Sequence, residues 1–206
     1  MNKQIIALFN RWAWLYDFEK YLLWPLRKKA AKFLNAPVKS KILDVATGTG
    51  AQAYELAKLG YDVTGIDLSS GMLRQAAKKC RPPLNLKFEM ADATKIPFDD
   101  NTYDYSCVSL ALHDMPHDTE INVLKEMKRV TKENGMILIV DYMEPRKHPV
   151  ARISHLLVSL YETPDYKPFI KRGLDTILSE VDLRVERATN FCGLFQIVSV
   201  KNEKGI

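Results

Sequence analysis

Residues 42–50 read Ile-Leu-Asp-Val-Ala-Thr-Gly-Thr-Gly. Apolar residues run into a loop of small residues, and a helix-forming stretch follows. Gly48 and Gly50 let backbone approach a ligand closely. The N–H groups that open the next helix favour a negative group. A glycine loop alone is weak evidence, because it also serves as a structural turn, but two acidic positions sharpen it. Asp67 ends the next apolar run, roughly 20 residues past the loop, where a carboxylate meets ribose hydroxyls. Asp92, with Ala93 beside it, ends the run after that, a position suited to an adenine edge. Each aspartate taken singly has a bland reading as a helix cap or loop residue. Three acidic residues at the tips of three successive apolar runs are harder to dismiss.

Asp44 narrows the ligand. A dinucleotide brings a pyrophosphate to such a loop, and a nearby carboxylate raises the cost of its two charges. S-adenosylmethionine instead brings an ammonium and a sulfonium, both positive, with one carboxylate. Asp44 and the helix N–H groups complement that mixture, which favours the sulfonium cofactor over NAD. His113, just past the fourth apolar run, stands where an acceptor would approach. It is the candidate catalytic residue, able to orient a substrate or take its proton; a loop histidine without a role is the alternative. His113 and His117 have metal-like spacing, but Pro116 disfavours one helix through both, and no metal is expected. Tyr16 and Lys20 match a dehydrogenase Tyr-x-x-x-Lys pair, yet they precede the glycine loop, so the match reads as coincidence.

Alternating elements must position these groups. Residues 3–34 read as helical, with Ile5, Leu8, Phe9, Trp12, Leu15 and Tyr16 on one face. A second helical start at Pro25 turns Leu26, Ala30, Phe33 and Leu34 inward. Strands are expected at 41–46, 61–68, 86–90, 103–111 and 136–141, with helices at 51–59, 70–79 and 118–130 between them. Ser69 or Ser70 caps the second of these helices. Strand–helix–strand repetition implies right-handed crossovers and a parallel, doubly wound sheet. Residues 143–173 interrupt the pattern with an apolar stripe at 150–160 behind Arg146, Lys147 and His148. That stripe is expected to pack on the sheet and to border the acceptor pocket. Its basic end also suits a lid at a membrane surface. A helix at 173–181 follows, then strands at 183–191 and 195–201. Their three-residue link is too short for a parallel crossover, so they form an antiparallel hairpin.

The 206 residues carry 30 Lys and Arg against 25 Asp and Glu, a formal charge of +5. That surplus permits an anionic surface without demanding nucleic acid. Cys80, Cys107 and Cys192 are far apart and odd in number, which disfavours a disulfide framework and fits a reducing, cytoplasmic setting. The apolar runs are far too short to span a bilayer, and no leader is expected.

Residues 44–50 (Asp-Val-Ala-Thr-Gly-Thr-Gly), 65–69 (Gly-Ile-Asp-Leu-Ser), 91–93 (Ala-Asp-Ala) and 125–135 (Lys-Glu-Met-Lys-Arg-Val-Thr-Lys-Glu-Asn-Gly) together resemble the successive motifs of class I S-adenosylmethionine-dependent methyltransferases. The nearest group is that of ubiquinone/menaquinone-biosynthesis methyltransferases. The resemblance implies a Rossmann-like, mostly parallel seven-stranded sheet whose final strand is reversed. It implies one domain: a helical cap at 1–37, a cofactor-binding core at 38–142, an insertion at 143–173, and a final helix and hairpin at 174–206. Carried over by position, Ala46, Thr47, Gly48 and Gly50 line the methionine part of the cofactor, with Asp44 at the loop's base. Asp67 holds the ribose, Leu68 and Met72 flank the adenine, and Asp92 and Ala93 meet its edge. Ser109 and Leu110 face the sulfonium, and Tyr16 closes over the cofactor. Ala46 departs from a glycine common at its position. The implied reaction moves a methyl group to a small-molecule or lipid-like acceptor and leaves S-adenosylhomocysteine. An NAD(P)-dependent oxidoreductase and a non-catalytic S-adenosylmethionine-binding domain stand as alternatives.

Overall fold

The structure, a computed structural model, describes residues 23–145, 155, 158 and 163–203. The expected N-terminal helix before residue 23, with Tyr16, lies outside them, as does most of the 150–160 stripe. Residues 23–34 form helix α1. Its inward face is Leu26, Ala30, Ala31 and Leu34, all buried. Asn35 ends it in the left-handed region (φ 51), and Pro37 prevents continuation.

Seven strands follow: β1 (Lys41–Val45), β2 (Asp62–Asp67), β3 (Leu86–Met90), β4 (Tyr103–Ser109), β5 (Thr131–Tyr142), β6 (Arg184–Phe191) and β7 (Phe195–Lys201). They build one sheet in the order β3-β2-β1-β4-β5-β7-β6. The first five strands pair in parallel. β7 runs antiparallel to both β5 and β6. The reversed strand therefore inserts between two parallel ones, and β6 forms the sheet's margin. Glu133-Asn134-Gly135, a turn-forming sequence, makes an irregularity inside β5, where the pairing with β4 shifts register. Asn134 is left-handed there (φ 61), and a Cβ on Gly135 would lie 2.5 Å from the Asp104 carbonyl oxygen.

Helices α2 (Ala51–Ala57), α3 (Ser70–Ala77), α4 (His117–Val130), α5 (Tyr166–Arg172) and α6 (Leu174–Ser179) connect the strands. Ser69 caps α3 by accepting the Met72 N–H at 3.1 Å. The core has two apolar layers. Leu26, Ala30, Ile42, Leu56, Val63 and Leu138 cluster on the face covered by α1 and α2. Val45, Leu124, Met127, Ile139, Ile177 and Val198 cluster on the face covered by α4 and α6. The order reverses at β1, whose neighbours β2 and β4 lie on opposite sides. The crevice at the carboxyl ends there is where open α/β sheets take ligands.

Candidate cofactor and acceptor site

The carboxyl end of β1 delivers the loop. Ala46 is left-handed (φ 52), as are Gly48 (φ 54) and Gly50 (φ 75). An alanine in that region costs about 1 kcal/mol, which is why glycine suits Ala46's position in this family of loops. Thr47 N–H donates to the Ile66 carbonyl at 2.9 Å and fixes the loop to β2. A Cβ on Gly50 would lie 2.4 Å from the Phe88 ring, so packing and φ both require glycine there. At Gly48 the same atom would meet nothing within 4 Å. Its backbone faces open space, the cradle a ligand needs.

Asp44 sits beneath the loop, 1% exposed. Its Oδ2 accepts the Thr47 hydroxyl. Burial pushes its pKa up to about 6, opposed by the Thr47 hydroxyl, the Cys107 thiol, the Arg27 charge and the Ala53 backbone. Asp67 joins the loop to α3: Gly48 N–H donates to Oδ2 and Ser69 N–H to Oδ1, both at 2.8 Å. Burial raises its pKa, while backbone N–H groups of Ser69, Gly48 and Leu68 hold it down. Asp92 Oδ1 accepts the Thr94 N–H at 2.8 Å and the Thr94 hydroxyl at 2.7 Å, an Asx turn that rigidifies the tip of β3.

One cleft gathers five of the expected residues: Ala46, Asp67, Leu68, Asp92 and Ala93. Met115, Thr119 and Val123 form its opposite wall. Sequence reasoning missed those three; their signal was the spacing of Thr119 and Val123 on one face of α4, close after the glycine-loop strands. Thr47, Gly48 and Gly50 build the adjoining loop. Met72 is buried within the start of α3 and does not line the cleft. At the end of β4, Leu110 turns left-handed (φ 55), and its N–H donates to the Val140 carbonyl at 2.8 Å. Ser109 Oγ is buried and has no hydrogen-bond partner among the described residues. An orphaned buried hydroxyl, an open cradle at Gly48 and two anchored carboxylates fit a ligand with hydroxyls and positive charge.

His113 lies in a 3-10 turn, Leu112–Asp114, and is 3% exposed. Its Nδ1 is 2.6 Å from Asp141 Oδ1. Asp141 is fully buried, and it also accepts the Leu112 N–H at 3.1 Å and the Tyr142 N–H at 2.7 Å. The Nε2 side faces Asp114 Oδ2 at 3.6 Å. Tyr142, Tyr166 and Phe169 meet the imidazole edge-on, with centroids 4.8, 6.0 and 6.4 Å away. Tyr166 in turn bonds through its hydroxyl to His155 Nδ1. Asp141 was not singled out from the sequence, although a carboxylate closing an apolar strand was the available signal. His117 bonds elsewhere, to Glu120 at 3.2 Å and Glu180 at 3.1 Å.

A family profile described as a methyltransferase domain matches residues 42–135. A demethylmenaquinone methyltransferase of Staphylococcus aureus (strain JH9) is 34% identical, over 98% of this chain and 82% of that protein. Among solved structures, the Haloferax volcanii complex of the Trm112 methyltransferase activator with a putative methyltransferase aligns at a TM-score of 0.73. It is 18% identical over 95% of this chain and 98% of that one. A SAM-dependent methyltransferase from Aquifex aeolicus aligns at 0.67, with 23% identity over 85% and 88% of the two chains. At such identities the structural likeness carries the fold alone.

Proposed function

The chain belongs to the class I S-adenosylmethionine-dependent methyltransferases, and we propose that its acceptor is a lipid-like hydroxyarene, the reduced, quinol form of a compound such as the demethylmenaquinone in the name of its Staphylococcus aureus relative. The dinucleotide-dependent alternative falls with that membership. S-adenosylmethionine, when bound, supplies an electrophilic methyl group already activated by its positive sulfur.

The chain's own part is positioning and proton handling. Asp67 takes the ribose hydroxyls with the lone pairs that Gly48 and Ser69 leave open. Leu68 and Val123 supply the apolar sides of the adenine slot, and Asp92 and Ala93 its polar edge. Asp44 offsets positive charge at the methionine end, and Ser109 and Leu110 border the sulfonium. His113 would take the hydroxyl proton of the acceptor as the ring carbon takes the methyl group, and the hydrogen on that carbon would then leave as a proton to restore the aromatic ring. Asp141 accepts from Nδ1–H, fixes that tautomer and stabilises the imidazolium that forms. Tyr142 and Tyr166 present aromatic faces suited to a flat ring.

The observation that carries this reading is the His113–Asp141 pair, buried under aromatic rings at the carboxyl ends of β4 and β5. Three free, separated cysteines support a reducing, cytoplasmic setting. No helix among the described residues is long and apolar enough to cross a membrane.

The test is methyl transfer from radiolabelled S-adenosylmethionine to reduced and to oxidised demethylmenaquinone. Transfer is expected to the quinol, which has a proton to give and a nucleophilic ring, and not to the quinone. His113→Ala is expected to lower kcat about 100-fold or more while cofactor affinity holds. Equal labelling of both redox forms, or unchanged kcat in the variant, removes the base from the scheme.

A further inference from the structure

We propose that the outer face of α1 is a docking surface for an anionic phospholipid bilayer. Residues 23–43 contain six Lys and Arg and no Asp or Glu. The whole chain carries +5, so everything outside this segment sums to below zero. A second stretch, 68–88, holds five Lys and Arg without an acid, but on α1 the charges share one exposed helix face with an indole. The inner face of α1 is spent on the core through Leu26, Ala30, Ala31 and Leu34. The outer face exposes Trp24, Lys28, Lys29 and Lys32.

No carboxylate among the described residues pairs with those three lysines. Lys29 Nζ donates to a neutral acceptor, the Asn190 carbonyl, at 2.7 Å. Lys28 Nζ stands 4.9 Å from the Trp24 ring centroid, so its charge is held at the indole without being neutralised. On the margin strand β6, exposed Arg187 extends the same patch: it donates to the Phe33 carbonyl at 3.0 Å, and its guanidinium lies 4.9 Å over the Phe33 ring. The indole itself is anchored, with Nε1–H donating to Glu55 at 3.0 Å, while the residue stays 45% exposed.

A duplex would also answer to positive charge. The exposed tryptophan decides against it: an indole rimmed by lysines on an outward helix face is a lipid-interface pattern, with ring and alkyl stems at headgroup depth. α1 shares its apolar cluster with Tyr142 and Tyr166, so this face lies on the side of the sheet where those aromatics gather. The inference suits a lipid-like acceptor but rests only on charge and exposure, and it survives if the acceptor proves different.

The test is co-sedimentation of the full chain with vesicles of phosphatidylcholine, alone or with about one-third phosphatidylglycerol. Binding is expected only to the anionic vesicles and to fade in roughly 0.5 M salt. Each exposed lysine is worth about fivefold in affinity, so Lys28→Gln/Lys29→Gln/Lys32→Gln should bind about 100-fold more weakly. The control Lys95→Gln/Lys125→Gln/Lys171→Gln removes as much charge from exposed positions elsewhere, and should lose less than fivefold. Lys28→Gln alone, with its own fivefold loss, carries the test if the triple variant does not fold. Equal losses in the two triple variants, indifference to vesicle charge, or tighter binding to duplex DNA would each overturn the proposal.

Discussion

Asp44 is an ionisable group in a place that penalises its charge. Its pKa rises from 3.8 to about 6 because burial outweighs the hydrogen bonds and the Arg27 charge that favour ionisation. The native chain therefore binds this proton more tightly than the unfolded chain does. Stability from this group is full below the unfolded value and falls as pH rises from about 4 to 6, by about 3 kcal/mol at most. Asp44→Asn keeps a carbonyl for the Thr47 hydroxyl and removes the charge. At pH 7.5 the ligand-free variant is expected to be more stable than the parent by about 1–3 kcal/mol, with the gap closing near pH 4. Urea unfolding at both pH values measures it, and a gap that ignores pH refutes the cost. S-adenosylmethionine affinity should fall in the same variant, since the ionised form complements a positive ligand. Residue identity at this site was largely legible: a strand-tip carboxylate is visible in the sequence, and Asp67 and Asp92 stand where the alternation put them. The depth of Asp44's burial was not, because it depends on Cys107 and Ala53 arriving from β4 and α2. Asp141 escaped for the same reason, since its partner lies 28 positions away.

Elements were legible where local rules fix them. The three residues between β6 and β7 force a hairpin, and Ser69 announces the start of α3. α5 was missed because Pro168 reads as a breaker. It falls at the third helical position, where its missing N–H would have had no partner inside the helix. Gly173 (φ 74) then separates α5 from α6, and α6 is the helix expected at 173–181, ending two residues short. The end of α4 depends on a residue no local rule identifies. Asn202 follows β7, is fully buried, and its Nδ2 donates to the carbonyls of Lys128 at 2.9 Å, Thr131 at 2.8 Å and Lys132 at 3.1 Å. Its backbone meanwhile pairs with Asn134 and Gly135. One amide thus closes α4 and sets where β5 begins. Asn202→Ala strands buried carbonyls and is expected to cost about 1–3 kcal/mol in urea unfolding, with an unchanged slope. Cofactor affinity should hold, because the site lies at the opposite ends of the strands. A loss below about 0.5 kcal/mol would show that water replaces the amide.

At the scale of the whole molecule, the cleft ties together elements that the sheet otherwise keeps apart. Ala46 comes from the end of β1, Asp67 from β2, Asp92 from the turn after β3, and Thr119 and Val123 from α4 on the far wall. A ligand seated there contacts native geometry that the unfolded chain cannot offer, so binding free energy becomes folding free energy. S-adenosylhomocysteine at 100 times its Kd should add about 2.7 kcal/mol. For a chain of this size, each kcal/mol raises Tm by about 2–4 °C, giving a shift of about 5–10 °C. NADH at the same concentration should give none, because its pyrophosphate would meet the carboxylates of Asp44 and Asp67 at the loop. Differential scanning calorimetry with the two ligands reads this directly, and hydrogen exchange locates it. Protection is expected at 46–50, 67–69, 91–94 and 115–123, and not in the β6–β7 hairpin, which lies outside the cleft. Equal shifts with both ligands would mean that the loop tolerates phosphate, and that the charge of Asp44 does not select the cofactor.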